Sequence, residues 1–151
     1  MKPTVHLLCG RIGSGKTTFA KRLERETAAV RLTHDEWIVR LYGPNPPEKH
    51  YREYFVRVEN QIWELAEAIV RAGADVILDF GFWSRESRDA ARDRTHDAGA
   101  VARFYSMSCP RQIALDTASA LTYFTPAFFR TRAICPPVVP VVMTSSTINT
   151  C

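Results

Sequence analysis

The chain has 151 residues, 46% of them hydrophobic and 24% charged, which fits one compact domain and excludes two ordinary ones. No apolar run approaches the roughly 20 residues of a membrane-spanning helix, and the N-terminal stretch is too short for a secretory signal, so we expect a cytoplasmic protein. The formal net charge of +4 suits a partner that carries phosphates, but it does not by itself indicate nucleic acid.

Short apolar runs alternate with amphipathic stretches along the first two thirds of the chain. Apolar runs of four to eight residues predict buried strands, and apolar residues recurring every three or four positions predict helices. The predicted elements, in chain order, are a strand at 5–9, a helix at 16–28, a strand at 29–32, a helix at 33–42, a helix at 51–72, a strand at 75–80, a helix at 84–99, a strand at 101–105 and a helix at 110–121. Strands that alternate with helices predict an α/β fold, a three-layer sandwich built on a parallel sheet.

The segment after the first strand matches the phosphate-loop pattern G-x-x-x-x-G-K-[ST]. Glycines allow positive φ angles and close backbone approach, so successive N–H groups can point at phosphate oxygens. Lys16 is expected to reach the β- and γ-phosphates, and the Thr17 hydroxyl is expected to bind Mg²⁺. The sequence thus predicts a P-loop NTPase fold with a nucleotide site at Gly10, Arg11, Ile12, Gly13, Ser14, Gly15, Lys16, Thr17 and Thr18.

The loop alone does not separate a kinase from an ATPase or a GTPase, since all of them hold phosphates alike. No N-K-x-D stretch for guanine recognition is present, which disfavours a GTPase. Asp35 follows the second predicted strand, at the sheet edge on which the phosphate loop opens. A carboxylate there can take the proton of a hydroxyl that attacks the γ-phosphate. The alternative is that Asp35, or Thr33, only caps the following helix.

Acidic and aromatic residues end the third predicted strand. Asp79 stands where a carboxylate can hold Mg²⁺ or its bound water, and its burial requires a charged partner. Phe80, Phe82 and Trp83 follow, and they either line an acceptor pocket or pack in the core. The arginines of the next helix form either a phosphate-facing patch or, more in keeping with their number, a solvated face.

Three segments together resemble the small P-loop kinases of the AAA type, a family that includes polynucleotide 5′-kinases, chloramphenicol phosphotransferase and zeta toxins. The segments occur in the family's order and spacing, and the likeness covers about residues 4–116. They are residues 8–18, residues 32–37, and residues 76–82 with Arg85 and Arg88. The resemblance implies ATP and Mg²⁺ as cofactors, Asp35 as the general base, and acceptor contacts near Arg40, for which a solvated surface arginine is the alternative.

The chain departs from the family pattern after the fourth predicted strand. Kinases of this kind carry there an arginine-rich lid that stabilises transition-state charge. Residues 113–120 contain no arginine, which leaves Arg111, Arg130 or Arg132 as substitutes. Altered sequence beyond about Asp116, through deletion or frameshift, is an equally good explanation. We therefore divide the chain into a kinase-like domain at 1–121 and an irregular tail at 122–151.

The sequence predicts an ATP-dependent phosphotransferase that moves the γ-phosphate to a hydroxyl of a small molecule or a nucleic-acid end. In this hypothesis Lys16 and Asp35 are catalytic, Thr17 and Asp79 hold the metal, and Asp35, Arg40 and Phe82 meet the acceptor. Nucleic acid is a conceivable acceptor that no feature indicates, and no membrane partner is expected. The alternative is an ATP-binding module or weak ATPase without kinase activity, because the lid arginines are missing.

Overall fold

The computed structural model describes residues 1–10 and 13–107 in full and the backbone of residues 141–143. The elements, in chain order, are β1 (Thr4–Gly10), α1 (Lys16–Thr27), β2 (Val30–Thr33), α2 (His34–Tyr42), α3 (Glu48–Arg71), β3 (Val76–Gly81), α4 (Arg85–Asp97), β4 (Val101–Met107) and β5 (Val141–Met143).

The strands form one sheet in the order β2-β3-β1-β4-β5. β1 lies between β3 and β4 and is parallel to both, and β2 is parallel to β3. β5 runs antiparallel to β4 at the edge. β2 lies on one side of β1 and β4 lies on the other. The direction in which successive strands are added to the sheet therefore reverses beside β1. Crevices at such reversals, at the carboxyl ends of the strands, are where open α/β sheets bind ligands.

Helices cover both faces of the sheet, which confirms the predicted α/β sandwich. α1 packs on one face, where its Phe19, Ala20 and Leu23 join Leu8 and Ile77 in a buried cluster. The other face is covered by α2, α3 and α4, which bury apolar residues against the opposite side of the same strands. Because successive strand residues point to opposite faces, Val76 and Leu78 face the three helices while Ile77 faces α1.

The long helix α3 begins three residues earlier than its apolar pattern predicts. Pro47 is the N-cap residue, and its carbonyl oxygen accepts a hydrogen bond from the N–H of His50 at 3.0 Å. Glu48, Lys49 and His50 are polar, so the apolar pattern starts only at Tyr51. Farther along, Val58, Ile62, Ala66 and Val70 recur every four residues and are buried.

The tail contributes a strand where the sequence analysis assigned no regular element. The backbone of residues 141–143 pairs with residues 104–106 of β4. The helix predicted at 110–121 lies outside the described residues, and the domain boundary at residue 121 stays a prediction. Within residues 1–10, 13–107 and 141–143, no helix is both long and apolar enough to cross a bilayer.

Candidate active site

The segments singled out in the sequence meet at the carboxyl edge of the sheet. Thr33, the last residue of β2, pairs with Asp79 in β3, and Gly10, the last residue of β1, pairs with Met107 in β4. The phosphate loop leaves β1 at this edge, and Asp35 follows β2 by two residues. Parallel pairing therefore brings the predicted donor site and the predicted base together.

Gly10 is required by its position as well as by its backbone angle. Its φ is +147°, and a Cβ atom there would lie 2.7 Å from the Met107 carbonyl oxygen and 2.8 Å from Ser14 Oγ. Gly13 and Gly15 also have positive φ, at 78° and 84°. Arg11 and Ile12 lie outside the described residues. The described glycines have the left-handed geometry that the sequence motif requires.

Lys16 is the first residue of α1 and folds back over the loop. Its Nζ donates a hydrogen bond to the Gly10 carbonyl oxygen at 2.8 Å. Burial lowers the pKa of Lys16, and the charges of Asp79 and Asp35 oppose that effect. The lysine is therefore a partly desolvated cation between two carboxylates, at a helix N-terminus whose first turn contains no acidic residue. Such a helix end is suited to a phosphate group.

Ser14 is a polar residue of the loop whose side chain is buried. Its side chain is 1% exposed, and within the described part of the chain its Oγ has no hydrogen-bond partner. Buried hydroxyl groups normally have partners. The neighbouring Thr17 and Thr18, in the first turn of α1, are exposed.

Asp79 lies under the loop on the α1 face of the sheet, and it is 6% exposed. Burial raises its pKa, while a hydrogen bond from the Thr17 side chain and the charges of Lys16 and Arg31 pull that pKa back down. Its Oδ2 atom has no hydrogen-bond partner among the described residues. A carboxylate oxygen and a threonine hydroxyl side by side form the oxygen donor set that Mg²⁺ takes from a protein, its other ligands being waters and phosphates.

Asp35 lies in the first turn of α2, and its side chain is 74% exposed. Thr33 is the N-cap residue of α2, and it makes no side-chain capping hydrogen bond. The structure therefore does not support the alternative that Asp35 serves as the cap. Its charge opposes the lowering of the pKa of Lys16 and adds to the raising of the pKa of Asp79, and its carboxylate is open to solvent.

Arg31 is a site residue that the sequence analysis missed. Its guanidinium pairs with Glu24 of α1 at 3.3 Å and with Glu36 of α2 at 3.0 Å, and it also donates to the Thr33 hydroxyl. Its charge helps to lower the pKa of Asp79. A lone arginine inside a short apolar strand was the available signal, because a charge at such a position needs partners.

The positions of the aromatic residues after β3 do not fit the hypothesis that Phe82 contacts the acceptor. Phe82 is only 7% exposed and stacks on Phe80 with ring centroids 5.5 Å apart. The structure thus favours the core-packing alternative for Phe82 over a contact with the acceptor, because a ring buried in the core offers no face to a ligand. Trp83 is 67% exposed, and its Nε1–H donates to the Gly10 carbonyl oxygen at 3.0 Å.

Arg88 of α4 binds the backbone of the turn that follows β3. It is 3% exposed, and its Nη1 donates to the carbonyl oxygens of Trp83 at 3.0 Å and of Phe82 at 3.3 Å. The other arginines of the helix make ion pairs, Arg85 and Arg92 with Asp89 and Arg94 with Glu67. This helix therefore presents paired arginines and one buried arginine, in place of a phosphate-facing patch.

The remaining predicted arginines are less informative. Arg40 is exposed in the last turn of α2, five residues after Asp35, and helical geometry turns the two side chains about 140° apart. The structure does not bring Arg40 together with Asp35. Arg111, Arg130 and Arg132 lie outside the described residues.

The parallel sheet, the loop around Lys16 and the carboxylate at the end of β3 define a P-loop nucleotide-binding domain. The chain belongs to the family described as AAA domain, whose family model matches residues 5–119. The fold is that of the small P-loop kinases, which confirms the resemblance drawn from the three sequence segments.

Solved structures show the same fold at low sequence identity. A chain of the Pnkp1/Rnl/Hen1 RNA repair complex matches with a TM-score of 0.68 and 23% identity over 82% of this chain and 40% of that chain. The Mycobacterium tuberculosis APS kinase CysC, in complex with AMPPNP and APS, matches with a TM-score of 0.55 and 20% identity over 81% of this chain and 72% of that one.

A sugar kinase from Janibacter sp. HTCC2649 matches with a TM-score of 0.54 and 23% identity over 85% of this chain and 73% of that one. The chain spans less than half the length of the matched chains from the RNA repair complex, at 40% and 46% in two structures. A search of curated protein sequences gives no match.

Proposed function

We propose that this protein is an ATP- and Mg²⁺-dependent phosphotransferase that moves the γ-phosphoryl group to a hydroxyl of a small molecule or of a nucleic-acid end. One observation carries the proposal. The last residue of β2 pairs with Asp79, and Lys16 binds the Gly10 carbonyl at the same edge of the sheet. A lysine, a buried carboxylate and the exposed carboxylate of Asp35, two residues after β2, therefore share one site. A site that only stored a nucleotide has no need of the third group.

In this proposal the phosphate loop and the start of α1 bind the nucleotide that donates the phosphoryl group. The backbone N–H groups of the loop and the N-terminus of α1 bind the phosphates, and Lys16 exchanges the Gly10 carbonyl for a phosphate oxygen. Asp79 and Thr17 would hold Mg²⁺, which when bound would neutralise negative charge on the phosphates. Burial of Asp79 keeps competing water away from that carboxylate.

In this proposal Asp35 activates the acceptor hydroxyl. Its exposed carboxylate accepts the proton of the acceptor hydroxyl as the hydroxyl oxygen bonds to the γ-phosphorus and the bond to the β-phosphate oxygen breaks. ADP leaves with that electron pair, and the proton passes from Asp35 to solvent. The exposure of Asp35 suits this role because a base must reach a hydroxyl in the crevice.

The structural neighbours are consistent with this proposal. The APS kinase neighbour was solved with AMPPNP, an ATP analogue, and the other neighbour is named a sugar kinase. Both are named as kinases, which is the reaction class proposed for this chain. They do not share one acceptor, so the acceptor of this chain has to be found by experiment.

The test is ATP consumption with Mg²⁺ across a panel of sugars, nucleosides and 5′-hydroxyl oligonucleotides. We expect at least one acceptor to stimulate ADP formation, Lys16→Ala to abolish it, and Asp35→Asn to lower it by about 10²- to 10⁴-fold with ATP affinity kept. Asp97→Asn is the matched control, since Asp97 is 85% exposed at the far end of α4 and should leave the rate unchanged.

The competing class, an ATP-binding module or weak ATPase, gives a different result. In that case ATP binds with Lys16-dependent affinity, and no acceptor raises ADP formation above the Lys16→Ala background. Within the kinase proposal, a nucleic-acid acceptor would bind with steep salt dependence and a small molecule would not.

A further inference from the structure

Two aromatic side chains on α3 stay exposed on the side of the crevice where Asp35 lies. Tyr51 is 43% exposed and Phe55 is 36% exposed, although both belong to the apolar pattern of the helix. They stand four residues apart, so they share one face, and their ring centroids are 6.4 Å apart. We call this pair the aromatic platform.

His34 connects the aromatic platform to the proposed base. Its Nε2–H donates to the Phe55 carbonyl oxygen at 3.0 Å, and its ring centroid lies 3.9 Å from that of Phe55. Its Nδ1 lies 3.9 Å from Asp35 Oδ1. The charge of Asp35 also helps to raise the pKa of Tyr51, after the larger effect of burial. The platform and the carboxylate are therefore neighbours in space.

A shallow, open groove borders Tyr51. It has a volume of about 470 Å³ and is lined by Pro44, Asn45, Pro46, Glu48, Tyr51 and Arg52. Its lining does not include residues of the phosphate loop. Tyr51 belongs both to the groove and to the platform, and His34 contacts Phe55 of the platform on one side and Asp35 on the other.

We propose that this surface is the acceptor site and that it selects hydroxyl compounds carrying a planar ring, with Tyr51 and Phe55 as the ring-binding residues. The inference rests on the proposed function, because it places the acceptor hydroxyl at Asp35. Planar rings stack on exposed aromatic faces, whereas a plain sugar or alkyl alcohol gains little from them. Exposure of two large aromatic rings to water is unfavourable for folding alone, which is consistent with a ligand that covers them.

The experiment measures binding with the donor site filled, so that it does not depend on catalysis. The full chain is saturated with AMPPNP and Mg²⁺ and titrated with two probes that carry a planar ring, uridine and 4-nitrobenzyl alcohol, and with two that lack one, ribose and ethanol. We expect the planar-ring probes to bind at least about fivefold more tightly than the others. Tyr51→Leu and Phe55→Leu should each remove about fivefold or more of that affinity.

Two control variants separate the ring from the site as a whole. Tyr51→Phe keeps the ring and should stay within about twofold of the wild type, and so should Val56→Ala, which alters an exposed apolar residue next to Phe55. Equal binding of probes with and without a planar ring, or Leu variants that bind uridine like the wild type, would overturn the inference.

The outcomes for the two proposals are distinguishable. Phosphorylation of ribose and uridine at equal rates keeps the kinase proposal and removes the aromatic acceptor site. Ring-selective binding that depends on Tyr51 and Phe55, with no acceptor phosphorylated, supports the binding site and contradicts the kinase activity.

Discussion

Gly10 combines two constraints that act on a single residue. Its φ of +147° lies outside the range that residues with a Cβ atom readily adopt, and the space beside it is filled by Met107 and Ser14. Gly99 also has a positive φ, at +81°, but nothing lies within 4 Å of the position of its Cβ. A substitution at Gly10 therefore meets both backbone strain and close packing, whereas a substitution at Gly99 meets backbone strain alone.

We expect Gly10→Ala to lower the free energy of unfolding by more than the roughly 1–3 kcal/mol of backbone strain and to abolish ATP binding. The reason is that the loop must move to admit the methyl group. Gly99→Ala should cost about 1–2 kcal/mol and leave ATP binding intact. Urea unfolding and ATP titration of both variants test this, and a Gly10→Ala protein with wild-type ATP affinity would contradict it.

Trp83 shares its hydrogen-bond acceptor with Lys16, since both donate to the Gly10 carbonyl oxygen. Phosphate binding draws Lys16 away from that oxygen, which changes the surroundings of an indole that is 67% exposed. We expect addition of ATP and Mg²⁺ to change the tryptophan fluorescence of the wild type. Trp83→Phe should lose that change, whereas retention of the full change in Trp83→Phe would show that Trp37 or Trp63 is the reporter.

At the scale of elements, the junction of β3 and α4 sets the position of Trp83. Gly81 and Phe82 both have positive φ, at 105° and 37°, so the chain turns sharply as it leaves the sheet. The buried Arg88 donates to the two carbonyl groups of that turn, and Ser84 caps α4 by accepting a hydrogen bond from the Ser87 N–H at 3.0 Å. The helix α4 thus fixes the turn after β3, which lies beside the phosphate loop.

We expect Arg88→Met to lower the free energy of unfolding by about 1.5–3 kcal/mol, because two carbonyl groups lose a charged donor in a buried position. Arg85→Met is the matched control on the same helix, since Arg85 is 66% exposed and its pair with Asp89 is 3.6 Å long. That control should change stability by less than about 1 kcal/mol. Equal losses of unfolding free energy for the two substitutions would contradict a stabilising role of the Arg88 hydrogen bonds.

At the scale of the whole molecule, a buried histidine joins the central strand to its neighbour. His6 of β1 is 2% exposed, and its Nδ1 hydrogen bonds with the Tyr105 hydroxyl of β4 at 2.9 Å. Burial lowers the pKa of His6, Asp75 opposes that effect, and Arg103 adds to it. Folding therefore favours the neutral imidazole.

This shift links folding stability to pH. Between the folded-state pKa and the ordinary value near 6.5 the unfolded chain binds more protons, so His6 contributes stability above about pH 6.5 and loses it as pH falls. We expect the stability difference between wild type and His6→Asn to shrink from pH 7 to pH 5. His96→Asn is the control, because His96 is 88% exposed. A pH-independent difference in thermal unfolding would contradict the prediction.

Sequence alone predicted the P-loop fold and the position of the phosphate loop. The loop is local, because its glycines, its lysine and the start of α1 lie within eight consecutive residues. The parallel sheet also followed from the sequence, since apolar runs alternating with amphipathic helices allow few other arrangements. Asp79 and Asp35 could be placed at one edge because parallel strands end there together.

Only the tertiary structure decided which of the remaining side chains reach that edge. Phe82 and Trp83 are adjacent aromatic residues, yet one is buried and the other exposed because the backbone turns between them. Arg31 and Arg88 became part of the site through partners on other elements, and the platform of Tyr51 and Phe55 lies beside Asp35 because α3 packs against α2. A linear pattern does not encode such contacts, since they depend on how distant segments pack.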